Sequence, residues 1–304
     1  MSTRFLSFLL SIVALFSGFN ISNDKDAVRY RDLPYGVNPF RQIIDMNIPK
    51  SVKGKANVIV FIHGGTWCGG SKSDYESSVE KFSKKGYVSA AINYRFCGYP
   101  DYVTVDDIMD DISAALGKIK EKAAEHGVNL KGVMFEGISA GAHLSLLYAY
   151  TRADEAPLKP VAVVAKSPAT DFTDMTLYDG SLHKLDPEKW SIPKDEWCKH
   201  LSFMTGKIIT PRNLEKKTDI LYNISPIKYV NKKTVPTILV HATKDTVLPY
   251  ANSVNLEKKL KKYGVKHEFV TFKGAWHNLR DCPEGNKELN KVYEKYIKQY
   301  LDVK

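Results

Sequence analysis

The sequence contains no Cys-x-x-Cys pair, no internal repeat and no low-complexity tract, and past its first sixteen residues no apolar run long enough to cross a bilayer. A zinc site built on paired cysteines is therefore excluded, and so is a multispanning membrane protein, since one helical span takes about 20 residues. Acidic residues are the scarcer charge, 34 against 44 basic ones, for a formal net charge of +10. The basic residues are nevertheless spread along the chain, without the Lys/Arg clusters interleaved with aromatics that a nucleic-acid groove needs. The surplus reads as a solvated basic surface, with no nucleic-acid partner. What is present suits a globular protein: 43% hydrophobic and 26% charged residues in 304, enough for one large domain.

The first residues stand apart. Arg4 precedes an almost wholly apolar stretch over residues 5–16, followed by the small residues Ser17 and Gly18. That is the layout of a secretory signal peptide over residues 1–19, with an uncleaved signal anchor as the alternative. The expected product is exported, with no stable membrane span after leader removal and a domain over residues 27–304. Export would carry the four cysteines, Cys68, Cys97, Cys198 and Cys282, into an oxidising compartment, where an even count allows two disulfides.

Beyond the leader, short apolar runs at residues 58–62, 87–92, 132–135, 161–165, 237–240 and 267–272 read as strands. Helical patterns fall between or after them at 75–84, 105–125, 142–150, 251–263 and 287–301. Repeated strand and helix predict an α/β fold, a mostly parallel sheet covered by helices on both faces. The alternation lapses over residues 171–222, a polar stretch rich in Trp, Pro, Lys and Asp, which reads as a partly helical, lid-like insertion before the next strand.

Gly137-Ile138-Ser139-Ala140-Gly141 follows a strand-like run and opens a helical one. This is the strand–turn–helix setting of a nucleophile elbow, where a sharp turn exposes the serine and side chains at the flanking glycines would collide. His63-Gly64-Gly65-Thr66-Trp67 follows the strand over 58–62. Its glycines let backbone N–H groups turn toward the serine, so Gly64, Gly65 or Thr66 together with Ala140 are the candidate oxyanion donors. Of eight histidines, His277 follows the last strand on a loop with a glycine hinge and is the candidate base. His143 lies one helical turn past Ser139 and points away from its oxygen, and His241 ends a strand as a buried structural histidine would. Asp245, after the strand preceding that of His277, is the candidate acid, with Asp171, Asp174, Asp219 and Asp281 as rivals by charge alone. Asp106-Asp107-Ile108-Met109-Asp110-Asp111 imitates the magnesium-diphosphate motif of all-helical prenyl synthases. Here the carboxylates begin a helix, where they favour the dipole and are expected to face water. No metal site follows.

These residues, with Asn93-Tyr94-Arg95, Ser167-Pro168, Val247-Leu248-Pro249 and Gly274-Ala275-Trp276-His277, occur in the order Ser139, Asp245, His277. The chain resembles the esterase/lipase branch of the α/β-hydrolase fold, near the hormone-sensitive-lipase-like and bacterial feruloyl-esterase-like carboxylesterases. The resemblance implies hydrolysis of a small-molecule or carbohydrate ester through an acyl-enzyme on Ser139, with no metal or organic cofactor. Arylformamidases share the pattern over His63 to Trp67, so an amide hydrolase with the same triad is the alternative within catalysis. A non-catalytic hydrolase-fold binding protein is the alternative outside it. Trp67 and Trp276, with Trp190 and Trp197 of the insertion, are expected to wall the substrate pocket. In this fold the strands before Cys68 and Cys97 are parallel neighbours, so those two cysteines are expected to pair, leaving Cys198 to pair with Cys282.

Overall fold

The computed structural model describes residues 19–98 and 100–302. Among the described residues nine strands form one sheet: β1 (Asn20–Asn23), β2 (Ala27–Pro34), β3 (Ile43–Pro49), β4 (Gly54–Ile62), β5 (Val88–Ile92), β6 (Val128–Ile138), β7 (Lys159–Lys166), β8 (Thr237–Ala242) and β9 (His267–Phe272). Seven α-helices accompany them: α1 (Glu76–Lys84), α2 (Val105–Glu125), α3 (Ala140–Thr151), α4 (Lys194–Thr205), α5 (Thr218–Asn223), α6 (Tyr250–Lys262) and α7 (Pro283–Tyr300). The strand order is β1-β2-β3-β5-β4-β6-β7-β8-β9. The first three strands join antiparallel, and every pairing from β5 to β9 is parallel.

Parallel strands covered on both faces need apolar residues at consecutive positions, as the run Val58-Ile59-Val60-Phe61-Ile62 has. The pleat sends them alternately to two cores. Val58, Val60 and Ile62 pack with α2, α3, α6 and the insertion, whereas Ile59 and Phe61 pack with α1 and α7. A signal for β3 is masked in the sequence by Asp45 and Asn47. Both are buried, and both find partners far along the chain: Lys72 Nζ lies 2.7 Å from Asp45 Oδ1, and Asn47 Nδ2 donates to Glu80 at 2.9 Å.

Upstream of residue 27, β1 pairs with β2 and the Phe19 ring stacks on Tyr30 with centroids 6.1 Å apart. The leader assigned to residues 1–19 otherwise lies outside the described residues. The segment 171–222 is partly helical as expected, with α4, α5 and short 3-10 turns and no strand. It is packed down onto the first core through Trp197, Leu201, Met204, Leu214 and Leu221, all nearly solvent-free. Among the described residues no helix is long and apolar enough to cross a membrane.

The expected disulfides are not formed, and all four cysteines are free thiols. Cys198 belongs to the first core and Cys282 to the second, on the opposite face of the sheet, so these two cannot meet. The loops bearing Cys68 and Cys97 do adjoin, since Cys97 N donates to Trp67 O at 2.8 Å. However, the Cys97 side chain turns into the core, while that of Cys68 is exposed and lies 3.8 Å from His200 Nδ1.

The aspartates at the start of α2 divide by role. Asp107 closes a capping box with Thr104, and the exposed Asp106 and Asp110 face Arg152. Asp111, contrary to expectation, is buried, because the loops before β3 and after β5 close over it. Its carboxylate accepts from Gln42 Nε2 at 2.8 Å, from Arg95 N at 2.9 Å and from Arg95 Nε at 3.0 Å. Asp111→Ala would leave Arg95 and Gln42 without their acceptor, at a cost of about 3–5 kcal/mol. Urea denaturation should show that loss, whereas Asp110→Ala should stay within about 0.5 kcal/mol of wild type.

Candidate active site

Ser139 sits between the end of β6 and the start of α3 at φ 55° and ψ −122°, a conformation that a non-glycine residue holds only when its surroundings enforce it. Its N–H donates to Lys166 O at 2.8 Å, and its carbonyl accepts from His143 N at 3.0 Å. The flanking glycines are required by space. A Cβ on Gly141 would lie 2.0 Å from Ile62 O, and one on Gly137 would lie 2.4 Å from the Gly141 carbonyl carbon. Ala140 heads α3, so its N–H is among those that a helix leaves without an internal acceptor.

The loop after β4 comes up against this turn. A Cβ on Gly64 would lie 3.4 Å from Ser139 Cβ and 3.0 Å from Ile138 O. Gly65, Thr66 and Trp67 all have positive φ, and Cys68 N donates to Gly65 O at 3.0 Å. His63 braces the loop: one ring nitrogen, Nδ1, donates to Gly64 O at 2.7 Å, and the other accepts from Arg41 Nη2 at 3.2 Å. Tyr94 stacks on the same ring at 4.3 Å and donates its hydroxyl to His63 O at 2.9 Å. Arg41 also donates to Gly70 O at 3.3 Å. No motif marks Arg41 in the sequence; the β2–β3 connection delivers it to this end of the sheet.

Trp67, expected to wall the substrate pocket, is almost solvent-free. Its ring is buried against Phe172 and Trp197, and its Nε1–H donates to His143 Nδ1 at 3.0 Å. His143 in turn donates from Nε2 to Ile224 O at 2.8 Å, so one imidazole joins the loop, α3 and the end of α5. Trp197 is equally buried. Trp190 is exposed, and its carbonyl accepts from Thr246 Oγ1 at 2.9 Å. Trp276 is half-buried, with the ammonium groups of Lys189 and Lys244 at 5.2 and 5.4 Å from its ring centre.

Asp245 and His277 meet across the ends of β8 and β9. His277 Nδ1 donates to Asp245 Oδ2 at 2.7 Å, while the amides of Val247 and Leu248 donate to Oδ1 at 2.8 and 2.9 Å. Burial works to raise the pKa of Asp245. The His277 charge and hydrogen bonds from His241 and His277 outweigh it and hold the carboxyl well below its usual range. Two of the rival aspartates serve elsewhere: Asp171 accepts from Thr173, and Asp174 from Thr176 and Asn252. Consecutive residues at the end of β7 tie the two halves of the site together. Lys166 O takes the Ser139 amide, and Ser167 Oγ donates to His277 O at 3.0 Å. Ser139, the Gly64–Gly65 loop, Ala140, Asp245 and His277 thus gather at the carboxyl ends of β4, β6, β7, β8 and β9.

Burial lowers the pKa of both His63 and His143 to about 4. Unfolded, each would take its proton near 6.5. Between those pH values the unfolded chain binds more protons, so stability falls as pH drops from about 6.5 to about 4, by at most roughly 3 kcal/mol per imidazole. Urea unfolding at several pH values across that window should show the decline. A flat profile there would mean that the two rings are not held neutral.

The family model described as BD-FAE matches residues 44–260. Esterase LipC of Mycobacterium tuberculosis is 25% identical over 255 residues, covering 83% of this chain and 60% of LipC. A probable isoprenylcysteine alpha-carbonyl methylesterase of rice is 25% identical over 275 residues, covering 85% of this chain and 61% of that protein. Kynurenine formamidase of Drosophila melanogaster is 25% identical over 257 residues, covering 84% of this chain and 76% of the enzyme. The chain thus spans about three fifths of the first two relatives. Among solved structures, a truncated carbohydrate esterase from gut microbiota superposes with a TM-score of 0.66 at 19% identity, over 90% of this chain and 98% of that one. An esterase of Thermogutta terrifontis gives 0.64 at 21% identity, over 94% and 95%. At such identities these likenesses establish the α/β-hydrolase fold and nothing finer.

Proposed function

The chain belongs to the BD-FAE family, and from that premise we propose that it is a serine hydrolase that cleaves carboxylic esters through an acyl-enzyme on Ser139. The observation that carries this reading is the convergence of the strained Ser139 elbow, the Gly64 loop beside it and the Asp245–His277 couple. In the proposed cycle His277 removes the Ser139 hydroxyl proton as its oxygen attacks the ester carbonyl. Asp245, ionised at its depressed pKa, holds the imidazole with Nδ1–H inward and stabilises the cation that forms. The N–H groups of Ala140 and Gly65, with Gly64 or Thr66 as alternates, receive the oxyanion. His277 then protonates the leaving alcohol, and water releases the acid by the reverse steps.

The substrate class favoured is that of a carboxylesterase or carbohydrate esterase. The apolar stretch at residues 5–16 supports the further proposal that the enzyme is exported; N-terminal sequencing of protein recovered from the medium tests it. The pattern over His63 to Trp67 and the likeness to a kynurenine formamidase support an amide hydrolase as the second reading.

A fluorophosphonate probe should label Ser139, since labelling requires a working base; no labelling would favour a binding protein that has lost catalysis. Ser139→Ala and His277→Ala should each lower kcat by about a thousandfold or more, and Asp245→Asn by less. Methyl ferulate, acetylated xylan, p-nitrophenyl esters and N-formylkynurenine, compared by kcat/KM, separate the readings. With any of them the rate should fall in acid, because a protonated imidazole cannot accept the serine proton, and a rate that instead rises in acid would exclude His277 as the base.

A further inference from the structure

Asp245 is held by more than its partner in the couple. His241, four residues earlier and at the end of β8, is fully buried, and its Nε2 lies 3.1 Å from Asp245 Oδ2, the same oxygen that His277 addresses. The same nitrogen is 3.2 Å from Leu248 O, and the other, Nδ1, is 2.7 Å from Ser253 Oγ on α6. A neutral ring with its hydrogen on Nε2 satisfies every one of these contacts, donating to Leu248 O and Asp245 Oδ2 and accepting from the Ser253 hydroxyl.

We propose that His241 is a positioning residue for the acid of this site, with Ser253 selecting the tautomer that lets it act. This rests on reading Ser139, Asp245 and His277 as a triad. Two backbone amides fix Oδ1, and His241 supplies the donor that fixes Oδ2 before His277 is considered. The carboxylate therefore cannot turn about its Cβ–Cγ bond when His277 moves during the cycle. A neutral donor has a second property: it orients the carboxylate without cancelling its charge, as a lysine or arginine in that place would. The Asp245 charge stays available to the His277 cation.

Tyr250 of α6 meets the His241 ring at 5.9 Å, and Lys189 and Lys244 lie over Trp276, one residue before His277. Removing the His241 donor concentrates more charge on Oδ2, which strengthens its hold on protonated His277. The acid limb of the kcat/KM profile should then move to higher pH.

The test compares wild type, His241→Phe and Ser253→Ala. Each variant should lower kcat by about tenfold with KM within about twofold, and raise the acid limb by roughly half a pH unit. The low-field proton resonance of His277 Nδ1–H should shift in the same variants. If folded variants keep the wild-type acid limb and resonance, or lose only thermal stability, the proposal is overturned. Should His241→Phe not fold, Ser253→Ala decides alone, since it removes only a hydroxyl. If wild type hydrolyses no ester, the proposed function fails, and the resonance shift still decides whether His241 positions Asp245.

Discussion

Ser139 is held in the left-handed half of conformational space, and almost every other feature of the site exists because something must hold it there. The turn closes only if Gly137 and Gly141 lack side chains, since Gly141 lies directly against the Ile62 and His63 carbonyls. That contact joins β6, α3 and the loop after β4 in one stroke. The close approach presents Ser139 beside Gly64 and leaves the Ala140 amide without an internal acceptor. Strain at one residue, over-determined by packed neighbours, is thus the means by which three separate segments are placed relative to one another.

Around this turn the structure spends its buried polar groups on bracing. His63, Arg41 and Tyr94 hold the glycine loop from one side, and Trp67 with His143 and the Ile224 carbonyl hold it from the other. The ring nitrogens of His63, Trp67 and His143 all have partners, so this bracing leaves the loop few alternative arrangements, whereas the buried Trp197 Nε1 has none. The insertion takes part in this. Trp197 fills the space beside Trp67, and Ile224 closes the chain of hydrogen bonds that starts at Trp67. A segment that reads as a lid in sequence contributes buried residues to the core along its length, from Phe172 to Leu221.

The acid–base couple follows a different logic. Asp245 is buried and would favour protonation on that account, yet the His277 charge and the hydrogen bonds from His241 and His277 keep it ionised, while two backbone amides hold Oδ1. The two amides hold Oδ1, and His241 and His277 both reach Oδ2, so each carboxylate oxygen is held from two sides.

The sequence by itself determined the parallel sheet, the elbow, the glycine loop and the order Ser139, Asp245, His277, because each is a local pattern. Apolar runs mark strands buried on both faces, and glycine is legible wherever a turn admits no side chain. Tertiary structure alone decided the rest. The strand β3 is hidden by Asp45 and Asn47, whose partners Lys72 and Glu80 lie 27 and 33 residues away. Trp67 reads as a pocket aromatic and proves to be a buried donor, since its acceptor His143 comes from α3, 76 residues further along the chain. Cys198 and Cys282 look pairable until the sheet is seen to separate them. Asp111 belongs to a run of acids that suits a solvated helix start, and only the loops folding over it make it a buried anchor. Local propensity and spacing are written residue by residue, whereas a side chain's partner depends on which distant segment arrives beside it.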